Sequence, residues 1–133
     1  MPISSLDLAN IERKLARARD PKAAAAKDEA AREKWAAGQE KALQEAIEQY
    51  AQLHGCYVVR PPMHKRSQFP KGYPDLSIHF AAKSVFIEAK TKGNTLSDDQ
   101  RRCHEDMRRC GCMVTAVWNL PDAIEFIRLH LLP

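Results

Sequence analysis

The chain has 133 residues, 44% hydrophobic and 29% charged, with a formal net charge of +4, a size and balance that suit one compact domain with a modest core. No apolar run approaches the roughly 20 residues needed to span a bilayer, and the start Met1-Pro2-Ile3-Ser4 lacks the basic-then-apolar layout of a secretory leader, so an intracellular, cytoplasmic protein is expected. Residues 1–55 hold nine Lys/Arg and nine Asp/Glu, whereas residues 56–133 hold twelve and eight. The whole positive excess therefore lies in the second half, which favours a polyanionic partner.

In chain order, residues 5–19 predict a short amphipathic helix capped by Ser4 or Ser5, with Leu8, Ile11 and Leu15 at helical spacing. Asp20-Pro21 is a break, because proline disfavours helical geometry in the residue before it. From Lys22 an Ala-rich, mixed-charge stretch predicts helix to about His54, loosened or kinked at Gly38. Its first part reads either as a solvated arm or as an extension that packs on another subunit. Its second part carries a core stripe of Leu43, Ile47, Tyr50 and Leu53, and Gly55 ends it.

Cys56 to Arg60 reads as a strand, and Pro61 to Gly72 as a basic loop. Asp75 to Phe80 and Val85 to Thr91 read as strands joined by a turn at Ala81 to Ser84. Ser97 caps a helix with Asp98 and Asp99 in its first turn, running to about Cys110 and stopping at Gly111. Met113 to Trp118 predicts an apolar, central strand, and Asn119 caps a last helix with Ile124, Ile127 and Leu131 facing inward. The order α-β-β-β-α-β-α, behind a helical extension, gives an α/β protein with a small mixed sheet flanked by helices.

The two middle strands carry the chemistry. Asp75 follows Gly72 and Pro74, and Glu88-Ala89-Lys90 follows on the next strand, the pattern PD…(D/E)xK. Side chains alternate along a strand, so Glu88 and Lys90 share one face while Val85, Ile87 and Ala89 take the other. Charge inside an apolar strand needs a partner, since burying it unpaired costs several kcal/mol. Asp75 and Glu88 are hard oxygen donors that suit magnesium or manganese, and the Ala89 carbonyl adds a third oxygen. A cation held there would acidify a bound water and offset charge on a phosphate. Lys90 would orient that water or stabilise the transition state.

Three further features surround this pair. Leu96, Gln100, Cys103, Met107 and Cys110 form one helix face whose only strongly polar member is Gln100, placed near the metal end of the sheet. On the long helix Glu40, Glu45 and Glu48 are candidate third carboxylates, of which Glu40 is preferred because it stacks with Gln44 beside Leu43 and Ile47. His64, Lys65, Arg66, Lys71, Lys92 and Arg101, with Arg102, Arg108 and Arg109, form a basic group suited to phosphate contacts. Cys103, His104, Cys110 and Cys112 invite a zinc reading, but the C-x6-C-x-C spacing lacks the usual zinc knuckle, so Cys103 and Cys110 read as core residues of a helix with reduced thiols. No aromatic stacking motif stands out.

Taken together, Gly72-x-Pro74-Asp75, Glu88-Ala89-Lys90 and Leu96-Ser97-x-x-Gln100 resemble the VRR-NUC family (virus-type replication-repair nucleases) of the PD-(D/E)xK superfamily. The helix from Glu40 to Gly55 and the closing strand and helix from Met113 to Leu132 fit in the same order. The resemblance covers about residues 38–133 as a nuclease domain and leaves 1–37 as a helical extension. It implies a restriction-endonuclease-like αβββαβ core, Mg2+ or Mn2+ dependence and hydrolysis of DNA phosphodiesters. It implies Asp75 and Glu88 as metal ligands, Lys90 as the catalytic lysine, Gln100 as its helper and Glu40 as the helix carboxylate. Small stand-alone members resemble viral or bacterial nucleases that act as homodimers on branched DNA such as four-way junctions, while larger relatives act on flaps. The alternatives are a nuclease without branch preference and a non-catalytic nuclease-fold module that binds DNA.

Overall fold

In the computed structural model, residues 5–18 and 29–133 are described. The elements are α1 (Ser5–Ala18), α2 (Glu29–Leu53), β1 (Tyr57–Val59), β2 (Leu76–Phe80), β3 (Lys83–Ala89), α3 (Asp98–Arg109), β4 (Met113–Val117) and α4 (Leu120–His130). The expected break at Asp20-Pro21 and the expected start at Lys22 lie outside the described residues. Gly38 does not interrupt α2, because one glycine costs a helix only about 1 kcal/mol and the flanking turns carry it through. The basic loop contains a 3-10 turn, Met63–Gln68.

The four strands lie in the order β1-β2-β3-β4, the first three antiparallel and β4 parallel to β3. The sequence placed the last strand centrally; it is an edge. Its apolar character comes instead from helices above and below the sheet, which bury Val114 and Val117 while Met113 stays 41% exposed. A parallel neighbour needs a crossover, and α3 supplies it. The β2–β3 turn is also tighter than expected: Phe80 pairs with Lys83, and Ala81 and Ala82 both take positive φ, 50° and 65°. Two left-handed residues match the twist of a two-residue hairpin, at a cost of roughly 1–2 kcal/mol per alanine.

Alternation along the strands sorts the two faces. Leu76, Ile78, Val85 and Ile87 have no solvent exposure and form the core with Ile47 and Tyr50 of α2 and Ile127 of α4. Each such aliphatic side chain contributes about 1.5–3 kcal/mol on burial. Ile11 and Leu15 of α1 join the same core, at 3% and 5% exposure. Over the other face lies α3, where Gln100 meets Glu88. No helix among the described residues is long and apolar enough to cross a membrane.

Candidate active site

The β2–β3 register sets the geometry. Leu76 pairs with Ile87, so one residue further out the ladder brings Asp75 opposite Glu88. Asp75 Oδ2 accepts a hydrogen bond from the Ala89 N–H at 3.0 Å, which fixes its carboxylate at the end of β3. Glu88 is only 1% exposed. Its Oε1 accepts from Gln100 Nε2 at 2.5 Å.

Gln100 holds this position because it is also part of a helix cap. The Ser97 hydroxyl accepts from the Gln100 N–H at 3.1 Å, and the Gln100 Oε1 accepts from the Ser97 N–H at 2.9 Å. This reciprocal capping box satisfies two of the helix's orphan donors. The oxygen end of one amide starts α3 while its nitrogen end holds Glu88.

Glu40 and Asp75 line one cavity of about 450 Å³, together with Gln44, Lys41 and Arg60. Glu40 Oε1 accepts from Asn94 Nδ2 at 3.4 Å, and the same amide donates to Thr91 Oγ1 at 2.7 Å. The other two helix carboxylates lie differently: Glu48 pairs with Arg60 at 3.6 Å, and Glu45 is exposed. Arg60 also donates to Gln44 Oε1 at 3.1 Å, tying β1's end to α2. Lys90 lines a neighbouring cavity with Trp35, Gln39, Thr91, Lys92 and Trp118.

The basic group is spread out. Lys65, Lys71 and Lys92 are exposed, whereas the side chains of His64 and Arg66 lie outside the described residues. Arg101 is exposed but engaged locally, with Asp98 at 3.1 Å and with the Leu96 carbonyl at 2.8 Å.

Among the described residues no three His, Cys, Asp or Glu side chains come together as a ready-made metal site. This bears on zinc and on the expected acidic set alike. Cys103 is half-buried in α3, but Cys110 is exposed, contrary to its reading as core, because it caps the helix end beside Gly111. Burial pushes the Cys103 thiol up, with Asp106 and Glu88 adding to the effect. For a hard divalent cation the donors are Asp75, the adjoining Glu88 and main-chain oxygen, and that chemistry fits. Two carboxylates facing each other across strands repel unless positive charge lies between them.

Asn94 and Thr91 escaped the sequence reading as site residues, while Gly72 and His104, both named there, take roles it did not give them. Asn94 and Thr91 connect the loop after β3 to Glu40, and nothing in a short polar loop marks which amide will reach a helix 54 residues away. Gly72 lies against the first turn of α3: a Cβ there would be 2.3 Å from the Asp99 carbonyl oxygen and 2.6 Å from Gln100 Cα. His104 is fully buried, and neither ring nitrogen makes a well-aligned hydrogen bond. Burial holds its imidazole below the ordinary value and Arg108 adds to this, while the Gly72 backbone and Asp75 act the other way. The signal for His104 was available, since it falls one place from the Gln100–Cys103–Met107 stripe.

A profile of the VRR-NUC domain matches residues 11–118. A solved structure described as a VRR-NUC domain is 24% identical, covering 67% of this chain and 94% of its own, with a TM-score of 0.57. Another, described as a VRR-NUC domain protein, is 23% identical, covering 69% of this chain and 87% of its own, with a TM-score of 0.58. At these identities the likeness speaks for the fold alone. Among curated proteins, no sequence matches this chain.

Proposed function

This chain belongs to the VRR-NUC domain family, and on that footing we propose that it is a Mg2+- or Mn2+-dependent endonuclease that hydrolyses DNA phosphodiesters. The observation that carries this reading is the strand register that sets Asp75 opposite Glu88, with Lys90 two residues on. In the proposed site, Asp75, Glu88 and the Ala89 carbonyl hold the cation, and Glu40 faces it from α2. Divalent-metal chemistry there supplies an acidified water and relief of charge on the scissile phosphate. Gln100 fixes the Glu88 carboxylate. Lys90 offers a positive N–H donor to the phosphate oxygens or to the attacking water, aimed where charge develops. Exposed Lys65, Lys71 and Lys92, with His64, Arg66 and Arg101, bind the DNA backbone without reading sequence.

The proposed catalytic unit is residues 38–133, with 1–37 as an extension. The proposed substrate is branched DNA, such as a four-way junction or a flap, met in the cytoplasm by a homodimer whose two-fold symmetry suits paired cuts.

Purified protein with Mg2+ or Mn2+ is expected to cut a labelled four-way junction faster than a linear duplex of equal length. Lys90→Ala is expected to keep the wild-type circular dichroism spectrum and to lose about 10²–10³-fold in kcat. Full activity in that variant removes the mechanism, and equal rates on the two DNAs remove the branch preference.

A further inference from the structure

The cavity beside the proposed catalytic residues, about 400 Å³, falls in the range of roughly 300–1,000 Å³ that takes small ligands. It is assembled from distant segments: Trp35 and Gln39 come from α2, Lys90, Thr91 and Lys92 from the end of β3, and Trp118 from the end of β4. The parallel ladder builds it. Ala89 pairs with Val117, and the Lys90 N–H continues the pairing by donating to the Val117 carbonyl at 2.9 Å. Lys90 and Trp118 are therefore neighbours across two strand ends. Trp35 reaches the same space one helical turn before Gln39.

Both tryptophans of the chain line this one cavity. Trp118 is 38% exposed, yet its ring is anchored, because Nε1 donates to the Asn94 carbonyl at 2.7 Å. An exposed indole fixed by its N–H is a stiff flat surface. The Trp35 Nε1 is shielded from solvent and makes no hydrogen bond. Lys90 and Lys92 add positive charge to the same rim. The Asn119 amide is already committed, accepting from the Asp122 N–H at 2.8 Å and donating to the Asp122 carboxylate at 3.1 Å.

We propose that this cavity binds one unpaired nucleotide of a DNA strand, its base against the Trp118 and Trp35 rings and its phosphate toward Lys90 and Lys92. The inference rests on the reading of the chain as a DNA nuclease and deepens it. Inside a duplex the base faces are covered by their neighbours, so only an unstacked nucleotide can use an aromatic wall. Ring faces and positive charge dominate the lining beside Gln39 and Thr91, with the Asn119 amide engaged in a helix cap, so stacking and phosphate contact, which every base allows, lead the recognition. Lys90 lines this cavity and follows Glu88 by two residues, so an unpaired nucleotide seated here would bring the adjoining phosphate toward the Asp75–Glu88 pair.

The test uses the full chain in buffer with a metal chelator, so that binding is read without cleavage. Tryptophan emission reports on this cavity alone, since the chain's two tryptophans both line it. Short oligothymidine is expected to quench that emission, and a blunt duplex of the same length to leave it nearly unchanged. Trp118→Ala and Trp35→Ala are each expected to weaken oligothymidine binding about tenfold, measured by anisotropy, as loss of one stacking partner does, with duplex affinity unaltered. Trp118→Phe loses the bond to Asn94 but keeps a flat ring, so it is expected to bind like wild type. Equal losses for oligothymidine and duplex, or a phenylalanine variant as weak as the alanine one, overturn the proposal. Addition of metal separates the two readings. Cleavage without preferential oligothymidine binding removes the cavity's role and leaves the nuclease, whereas tight oligothymidine binding without cleavage does the reverse.

Discussion

At the scale of single residues, Gln100 carries two duties that a substitution can divide. Glutamate keeps an acceptor for the Ser97 N–H and so preserves the capping box, but it sets a carboxylate against Glu88 where an amide N–H now donates at 2.5 Å. Gln100→Glu is therefore expected to lose cleavage activity by tenfold or more while its melting temperature falls little in the presence of Mg2+. Gln100→Ala removes both contacts and is expected to lose about 1 kcal/mol of stability with the cap. Parallel activity and thermal-melting series check this, and a Glu variant as active as wild type would show that the amide serves the helix only. The motif itself stood out in the sequence because strand alternation predicts one face for Glu88 and Lys90, although β3 ends at Ala89, just before Lys90. Asn94 was not legible, since its contact with Glu40 depends on how a loop closes over a helix, which no local period encodes. His104 was read only as part of a possible zinc cluster, and its burial was missed for a different reason. A helix stripe of spacing three and four admits a neighbour on either side, and only packing decides which is buried.

At the scale of elements, the order of helices and strands was readable almost throughout, through caps at Ser97 and Asn119 and the stop at Gly55. The edge position of β4 was not. Hydrophobicity reports burial by helices as readily as burial by strands, so it cannot rank a strand within a sheet. The contact between the Asp75 loop and α3 is an element-level device of the same hidden kind. Gly72 has φ of 82° and touches the α3 backbone at Asp99 and Gln100. Gly72→Ala both strains the backbone, by roughly 1–2 kcal/mol, and pushes against main chain that cannot swing aside, for about 1–3 kcal/mol more. The helix start that carries Gln100 is what must yield. The expected result in urea denaturation is a lowered midpoint with unchanged slope, accompanied by lost cleavage even at temperatures where the variant is fully folded. A variant that is destabilised yet fully active when folded would mean that the loop and the helix start are not coupled to the site.

At the scale of the whole molecule, the first helix contributes to the main core. Ile11 and Leu15 are as buried as many sheet residues, and the VRR-NUC match already begins at residue 11. The sequence offered a solvated arm or a subunit-packing extension for the segment from Lys22 onward and gave α1 only an amphipathic face. What α1 packs against was not readable, because an apolar stripe names no partner. Ile11→Ala is expected to cost about 2–5 kcal/mol, the usual loss for a buried large-to-small change. Chemical denaturation followed by both far-ultraviolet circular dichroism and tryptophan emission is expected to give one coincident transition. An early, separate loss of helical signal would show that α1 unfolds on its own. The cavity bounded by Trp35 makes the same point from the other side. It exists because α2 runs unbroken from residue 29 to residue 53, carrying one indole to the strand ends.

The shared amide of Gln100 has a consequence in time as well as in space. Before α3 winds, no capping box exists and nothing holds that side chain over the sheet, so Glu88 is left without its donor. A chain still folding, or one that has partly come apart, lacks the arrangement proposed for hydrolysis even if β2 and β3 have already paired. On the proposed mechanism, helix initiation and readiness to cut arrive together, so an incompletely folded copy would leave the DNA around it intact.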